Sequence, residues 1–382
     1  MPMLSMREAG VPPGEYYAPN YRLRVEGREL NPEVKGDVLD LKVVMDMDQM
    51  TSVEFTVSNW DDEHLEFKYS DTTAFNLGNR IQVEMGYADR LLSMAVGQIS
   101  TLSPKFPENG PPTLHVTALD GMLKLRDRKP AEGEVTKYEN MADWQIAQMV
   151  AERNGLASRV TEDGETHEEV IQKNQDDATF LRERAARSDR DVFIVTDPDT
   201  GDDTLYFVRP LDGRTTDRTR IFVFEWGKSL INFNPTLTLD RQVGRVTVRG
   251  WNPETKQAIV FTASHENLPG AAGSGGGTSG PQVATQALNG KQDVVVDAPV
   301  ASEEEAQELA VSFLTNRAYE FVTGSGQVIG LPDLRPGDNI ELKGLGQRFS
   351  GIYYVKKTEH VLNQSGYLTS FEVRRMFDGG TR

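Results

Sequence analysis

The sequence contains no cysteine. Disulfide bonds and cysteine-ligated metal sites are therefore excluded. The chain also lacks any apolar run near the roughly 20 residues that a membrane-spanning helix needs. Its N-terminus, MPMLSMREAGVPPGEYYAPN, has no basic start followed by an apolar core. The sequence therefore predicts neither membrane insertion nor export by a signal peptide.

Basic residues are scarce relative to acidic ones. The chain has 41 Lys and Arg against 58 Asp and Glu, a net charge of −17 at pH 7. A nucleic-acid-binding protein is usually basic because it must neutralise phosphates, so we predict no specific nucleic-acid binding. Hydrophobic residues make up 38% of the chain and charged residues 26%, which is enough apolar material for a packed core.

Motifs of catalysis and metal binding are absent as well. The sequence has no G-x-S-x-G, no P-loop, no G-x-G-x-x-G and no H-E-x-x-H. Its five histidines are scattered, and DPDTGDD (Asp197–Asp203) lacks the spacing of a calcium loop. We therefore predict a protein that is not an enzyme and has no catalytic residue, no cofactor and no metal site.

Apolar residues alternate with polar ones in the first third of the chain. Tyr21, Leu23 and Val25 fall on one face of a strand, and similar alternation recurs as far as Ala118. Such runs, separated by Gly, Pro, Asp and Asn, are typical of half-buried antiparallel strands. We predict an N-terminal tail over residues 1–19 and a first β-barrel over 20–128.

Helical spacing appears between residues 129 and 228, where we predict a small α+β insertion domain. Asn140 with Asp143, and Asn174 with Asp177, have the spacing of an N-cap and its third helical residue. The adjacent Asp176 and Asp177 are also candidates for a general acid and base. Neighbouring helical residues point about 100° apart, however, so we favour the start of a helix.

Four arginines follow these aspartates, at positions 182, 184, 187 and 190. Phosphate contacts are one interpretation of this cluster. The arginines do not share one helical stripe and lie among acidic residues, so we favour a solvated face with ion pairs to neighbouring chains.

Strand patterns return in the last third of the chain. We predict the first part of a second β-barrel over 229–265, a Gly/Ser-rich linker or loop over 266–300, and a helix with the remainder of that barrel over 301–382. Ser302 and Glu305 form a capping box at the start of the helix.

An internal repeat relates the two strand-rich regions. GNRIQV (Gly78–Val83) and GDNIEL (Gly337–Leu342) share the pattern G-x-x-I-x-[V/L], carried by Gly78, Ile81 and Val83 and by Gly337, Ile340 and Leu342. A second glycine follows in each region, Gly97 and Gly351, and then an alternating strand, TLHVTA or TSFEVR. Chance recurrence of a short pattern is the alternative, but three matches in one order favour two related antiparallel β-barrels. The predicted fold class is α+β, mainly β.

With these segments the chain resembles the late control gene D proteins of contractile phage tails, which are related to the N-terminal part of VgrG of type VI secretion. The matching stretches are ALDGMLKLRDRKP (118–130), MADWQIAQMVAERNGL (141–156), VIQKNQDDATFLRERA (170–185), VGRVTVRGWNPETKQAI (243–259) and the segment 337–375. Their order covers nearly the whole chain, from Asn20 to Met376.

The resemblance implies a structural baseplate hub. Three copies would form a ring of six similar barrels that joins a hexameric tail tube to a trimeric spike. The implied partners are the chain itself, the tube ring, other baseplate components and a spike. VgrG continues beyond the hub whereas this chain stops at Arg382, so we expect a separately encoded spike. The expected location is a phage tail or injection particle assembled in the bacterial cytoplasm. The alternatives are a hub-associated peptidoglycan hydrolase and a cell-surface carbohydrate-binding β-module.

Overall fold

The computed structural model describes residues 3–4, 18–131, 133–197, 199–209, 221–252, 255–269, 277–287, 292–295, 300 and 302–379. The first third of the chain is built of strands with one short helix. Its elements are β1 (Met3–Leu4), β2 (Pro19–Val25), β3 (Arg28–Glu29), α1 (Pro32–Asp37), β4 (Val38–Asp46), β5 (Ser52–Ser58), β6 (Trp60–Asp61), β7 (Glu66–Phe67), β8 (Arg80–Tyr87), β9 (Arg90–Lys105) and β10 (Thr113–Leu119). The alternating apolar residues of these strands form one core around Phe55 and Val116, to which Tyr367 from the last third of the chain also belongs.

The middle of the chain forms a separate α+β unit. Its elements are α2 (Met122–Arg126), β11 (Val135–Ala142), α3 (Asp143–Arg153), β12 (Ala157–Val160), β13 (Thr166–Lys173), α4 (Asp177–Arg187), β14 (Asp191–Thr196) and β15 (Asp203–Val208). The apolar faces of α3 and α4, including Ile146 and Leu181, pack into one core with the small sheets of this unit.

The last third returns to strands, with one long helix. Its elements are β16 (Ile221–Glu225), β17 (Leu230–Leu237), β18 (Arg245–Asn252), β19 (Gln257–Ser264), β20 (Thr278–Ser279), α5 (Gly280–Ala287), β21 (Gln292–Val295), α6 (Glu303–Tyr319), β22 (Val322–Ile329), β23 (Asn339–Lys343), α7 (Gly346–Phe349), β24 (Gly351–Asn363), β25 (Gly366–Arg375) and β26 (Phe377–Asp378), with a 3₁₀ turn at His265–Asn267. Helix α6 packs on β18 and β19 in one core, while the strands around Phe371 enclose another.

The two strand-rich regions have the same strand order. The first runs β2-β8-β9-β10-β5-β4 and the second runs β16-β23-β24-β25-β22-β17, within one 14-stranded sheet of the described residues. The two orders differ in direction at one place, because β16 and β23 are parallel whereas β2 and β8 are antiparallel. We call these six-stranded regions the first half and the second half.

The two halves are joined edge to edge. Strand β24 pairs antiparallel with β4, so that Lys357 lies opposite Asp46 and Asn363 opposite Asp40. The prediction of a mainly β chain with antiparallel sheets is confirmed. Neither half closes into a barrel among the described strands, because β4 pairs with β24 instead of β2, and β17 pairs with β22 but not with β16.

The glycines of the repeat occupy equivalent positions. Gly78 and Gly337 have φ angles of +85° and +92°, a region open to glycine but strained for other residues. Their N–H groups donate to the carbonyls of Ile99 and Val355 at 2.8 and 2.9 Å. The apolar positions that follow are all fully buried: Ile81, Val83, Ile340 and Leu342.

The second pair of glycines does not match in register. Gly97 lies opposite Ile81, whereas Gly351 lies opposite Leu342, which is two residues later in the repeat. Gly97 is required by a close approach, since a Cβ there would lie 2.5 Å from the carbonyl oxygen of Leu119. Gly351 has a φ of +134°, a backbone conformation that favours glycine. Gly97 and Gly351 therefore do not occupy equivalent positions, and the predicted match between these two glycines is wrong.

The predicted linker over 266–300 is also corrected where it is described. Residues 278–287 form β20 and α5, and β20 pairs with β26 near the C-terminus. Gly280 and Pro281 are buried, because the absent side chain of Gly280 lets α5 pack closely on Phe321. Residues 270–276 lie outside the described part. The predicted tail 1–19 likewise includes β1, which pairs parallel with β16.

Candidate functional site

One face of the joined sheet is polar and solvent-facing across both halves. It is formed by alternate residues of β17, β22, β25, β24, β4, β5, β10 and β9, and we call it the polar face. Its members include Asn232, Asn234, Thr236, Thr323, Ser325, Gln327, Ser370, Glu372, Lys357, Glu359, Asp40, Lys42, Asp46, Ser52, Glu54, Thr56, Thr113, His115, Thr117, Thr101, Ser103 and Lys105.

Strand geometry explains the polar face. Successive side chains point to opposite sides of a sheet, so the polar half of each alternating pattern collects on one side. On the other side lie Val43, Phe55 and Val116, each with no exposed surface. The strand that joins the halves keeps this alternation, and the two polar surfaces therefore form one continuous face.

Several charges on the polar face are paired across strands. Lys42 lies 3.4 Å from Glu54 and 3.7 Å from Glu359, and Lys357 lies 3.3 Å from Glu372. Each such exposed pair contributes at most about 1 kcal/mol to stability. These pairs place opposite charges side by side on the polar face, so the paired region does not present charge of a single sign.

A shallow groove crosses the second half of the polar face. Its volume is about 220 Å³, and Asn232, Gln327, Lys357 and Glu372 are among its lining residues. The Gln327 amide donates to the Ser370 hydroxyl at 3.3 Å. The groove is therefore lined by amides, hydroxyls and ion-paired groups.

One end of the polar face is covered by the middle unit and α6. The Tyr354 hydroxyl donates to Asp191 at 2.6 Å, and the Arg374 guanidinium lies 4.1 Å from the ring centre of Tyr319. Burial raises the pKa of Asp191 to about 6, although the Tyr354 hydrogen bond acts in the opposite direction. This contact fixes the middle unit against the sheet.

A second joint connects the middle unit to α6. His167 of β13 lies 3.2 Å from Glu305 and 3.4 Å from Asp143, and Arg184 also pairs with Asp143 at 2.6 Å. Burial lowers the pKa of His167, and so does the nearby Arg184. Hydrogen bonds to Asp143 and Glu305 outweigh both effects and raise the pKa to about 9. Protonation makes His167 a link between the two carboxylates, and the Arg184 guanidinium, whose Nη2 lies 2.7 Å from His167 Nε2, opposes that proton.

A cavity of about 350 Å³ lies between the first half, the middle unit and the segment around Arg335. Met45, Met94 and Phe193 line it, together with the buried Asp120. Burial raises the pKa of Asp120 to about 6, while its oxygens accept from the N–H groups of Thr51 and Met122. These bonds give Asp120 a structural task at the start of α2.

Two of the predicted N-cap residues, Asn140 and Asn174, do not occupy the N-cap positions of their helices. Helix α3 begins at Asp143 with Ala142 at the N-cap, and Asn140 belongs to β11 with a φ of +53°. Helix α4 begins at Asp177 with Asp176 at the N-cap, and Asn174 has a φ of +55° in the preceding turn. An N-cap needs extended backbone, so a left-handed asparagine cannot serve.

Asp176 and Asp177 have different tasks. Asp176 accepts from the Thr179 N–H at 2.9 Å and caps α4. Asp177 is 1% exposed, forms an ion pair with Arg153 and accepts from the amides of Asn154 and Gln172 at 2.8 Å. The two carboxylates do not face one site.

The third predicted cap lies where the pattern placed it. Ser302 is the N-cap of α6 and accepts from the Glu305 N–H at 2.9 Å. The Glu305 carboxylate is directed to His167, as described above.

The arginine cluster is not a solvated face. Arg184 and Arg190 are 9% and 6% exposed. Arg184 pairs with Asp143, and Arg190 pairs with Asp163 while donating to the Thr161 carbonyl at 2.8 Å. The interpretation as ion pairs to neighbouring chains is therefore wrong for these two residues, because their partners belong to the same middle unit.

No group of three or more His, Asp or Glu that could hold a metal ion occurs in the described part of the chain. The Asp197 carboxylate instead accepts from the N–H groups of Asp199 and Thr200, at 2.8 and 2.9 Å, in the β14–β15 hairpin. Among the helices of the described ranges, none is long and apolar enough to cross a membrane.

Sequence reasoning missed the polar face and the His167 joint. Alternation carried the signal for the polar face, since both halves have polar residues at most alternate positions of their strands. The joint unites residues from α3, β13, α4 and α6, and no local pattern connects them.

The chain has the fold of several tail proteins. The prophage MuSo2 43 kDa tail protein from Shewanella oneidensis is 13% identical, with a TM-score of 0.67 over 94% of this chain and 100% of that one. A tail protein from Neisseria meningitidis MC58 is 14% identical, with a TM-score of 0.66 over 94% and 97% of the two chains. These identities establish the fold alone.

A third structural relative belongs to a secretion system. The E. coli c3393 protein, described as a component of the type VI secretion system with structural similarity to the T4 tail proteins gp27 and gp5, is 13% identical. Its TM-score is 0.55 over 92% of this chain and 76% of that one. The predicted likeness to tail and type VI secretion proteins is thus confirmed at the level of fold.

No curated protein matches the sequence. The family model that matches is not the late control gene D or VgrG family of the sequence prediction. It covers residues 17–364, nearly the whole chain. The chain belongs to the family described as the Alg8 N-terminal domain.

Proposed function

We propose that the chain is a structural baseplate hub of a contractile tail or injection system. Three copies form a ring around a central channel, and each copy contributes its two barrel-like halves. The ring has six similar units toward a hexameric tail tube and threefold symmetry toward a trimeric spike. Other baseplate components bind its outer surface.

The observation that carries this proposal is the equivalence of the two halves. They share strand order and the glycine hydrogen bonds at Gly78 and Gly337, and they are joined side by side through β4 and β24. Two similar units in one chain give a trimer approximate sixfold symmetry, which suits a contact between six tube subunits and three spike subunits.

The polar face supports the assignment of a channel. It spans both halves, and several of its charges are paired across strands. A surface of alternating sign has no strong field that would hold a charged cargo. In the ring, the polar face lines the channel, and the middle unit with α6 lies at one end of it.

The test of location is a reconstruction of the assembled particle. We expect three copies on the central axis between tube and spike, with the polar face directed to the axis. Six copies per ring, or copies placed in the sheath or fibres, would contradict the hub assignment.

A second test narrows the channel. Gln327→Trp adds a bulky side chain on the polar face, and three copies of it would obstruct passage while leaving the core intact. Val260→Trp is the matched control, because Val260 is 55% exposed on β19, away from the polar face. We expect normal particle assembly with both variants and reduced transfer of cargo only with Gln327→Trp. Equal transfer by both would count against the channel.

A further inference from the structure

The described structure leaves two strand edges open, one in each half. Strand β9 pairs with β10 through Lys105, and its other side pairs with β8 only as far as Gln98. Strand β17 pairs with β22, and no strand of the described residues pairs along its other side. Open edges of this kind are ready to pair with another chain.

The joint between the halves shows what such edges do. In the second half, β24 occupies the place of β9, and its corresponding edge pairs with β4. In the first half, β4 occupies the place of β17. The β24–β4 contact therefore pairs the equivalent of the open β9 edge with the equivalent of the open β17 edge.

We propose that β9 of one copy joins β17 of the next copy, repeating the β24–β4 joint between chains. This inference rests on the proposed ring and names the contact that closes it. The contact is head to tail, and three such contacts with three internal joints give six similar joints around the channel.

The equivalence also gives a register. Ile99 corresponds to Val355 by its hydrogen bonds, so Ser103 corresponds to Glu359. Each of these two residues has a cross-strand partner, and the partners can be followed strand by strand to β4 in the first half and to β17 in the second. Asp40 then corresponds to Asn232, and four residues later Val44 on β4 corresponds to Thr236 on β17. Because Glu359 lies opposite Val44 in the internal joint, Ser103 should lie opposite Thr236 of the next copy.

Each open edge carries one proline, and this register places the two prolines opposite each other. They are Pro104 on β9 and Pro235 on β17. Proline cannot donate a backbone hydrogen bond, and natural edge strands use it to discourage indiscriminate pairing. The contact between copies thus has fewer backbone hydrogen bonds than the internal joint, which protects the free chain from open-ended polymerisation.

The two edges of one copy are not paired with each other in the described structure, and along the sheet they are seven strand spacings apart. A disulfide requires Cα atoms within about 7 Å, a distance that residues opposite each other in paired strands meet. A bond between position 103 of one chain and position 236 of another, seen as a covalent oligomer, therefore reports the proposed contact.

The chain lends itself to this test because it has no cysteine of its own. We would oxidise purified Ser103→Cys/Thr236→Cys at its highest soluble concentration and separate the products on a denaturing gel. The expected result is a set of covalent species that ends at the trimer. Glu359→Cys/Val44→Cys is the matched control and should form a disulfide within one chain, without intermolecular products.

Three outcomes would overturn the proposal. The first is a double variant that remains monomeric while the internal control is oxidised. The second is a covalent dimer of Ser103→Cys alone, which would indicate a symmetric contact. The third is equal trapping of Ser103→Cys/Asn232→Cys, which is out of register by four residues, or about 13 Å. If the disulfide does not form but the reconstruction places the chain on the particle axis, only the proposed β9–β17 contact is wrong. If the covalent trimer forms but the chain lies off the axis, the hub assignment is wrong.

Discussion

At the scale of single residues, the buried Asp177 has a large predicted effect on stability. Its carboxylate is the common acceptor for Arg153, Asn154 and Gln172. Removing one partner of a buried ion pair leaves the others without compensation, which costs far more than an exposed pair contributes. We expect Asp177→Ala to lower the free energy of unfolding by about 3 kcal/mol.

The neighbouring Asp176 is the matched comparison. It caps α4 through the Thr179 N–H, and loss of a cap typically costs about 1 kcal/mol. Chemical denaturation of both alanine variants measures the difference. Equal losses, or a larger loss at Asp176, would show that the ion pair with Arg153 contributes little.

His167 predicts a dependence of stability on pH. Its pKa in the folded chain is about 9, above its ordinary value of 6.5, so the folded state binds the proton more tightly. The contribution of His167 is therefore fully present below pH 6.5 and is lost as pH rises through about 9. We expect the stability difference between the native chain and His167→Gln to be large at pH 6 and to shrink toward pH 10. Urea titrations at both pH values test this, and a constant difference would contradict it.

At the scale of elements, the sequence predicted the strands better than the ends of the helices. Alternation located β2, β4, β5, β8 and β10, because burial on one face of a sheet imposes period two. The spacing of Asn140 and Asn174 suggested caps, yet both residues adopt left-handed backbone in the preceding segments. A capping pattern records only spacing, whereas the backbone angle that decides the cap is set by the turn before it.

Pairing between distant strands lay beyond local patterns. The β24–β4 joint connects residues about three hundred positions apart, and the repeat only indicated that two similar units exist. Helix α5 was not predicted from the sequence because of the composition of the preceding segment. The glycine-rich stretch AAGSGGGTSG predicts a linker, although Gly280 at its end lies against Phe321.

A glycine pair tests the packing of α5. A Cβ on Gly280 would collide with the Gln242 side-chain oxygen and lie 2.8 Å from the Phe321 Cβ. We expect Gly280→Ala to destabilise the chain by about 1–3 kcal/mol, the usual cost of overpacking. Gly36→Ala is the control, because nothing lies within 4 Å of its added Cβ in α1. Thermal melting of both variants measures this, and a tolerated Gly280→Ala would show that α5 is held loosely.

At the scale of the whole molecule, the shared sheet couples the two halves. Each half has its own apolar core, yet β4 and β24 exchange backbone hydrogen bonds along seven residue pairs. Elements that share a ladder tend to open together, because unfolding one leaves unpaired groups on the other. The middle unit lacks such a ladder and is held by side-chain contacts at Asp191 and His167.

Local weakening of the first half should therefore be transmitted to the second. Phe55 has no exposed surface, and Phe55→Ala leaves a cavity that costs about 3–5 kcal/mol. Hydrogen exchange should report faster exchange not only in β4 and β5 but also in the part of β24 that faces β4. Leu181→Ala, in the core of the middle unit, is the comparison and should accelerate exchange mainly in α3 and α4. If Phe55→Ala leaves β24 protected as before, the two halves are independent units that merely touch, and the ring would have to derive its rigidity from contacts between copies.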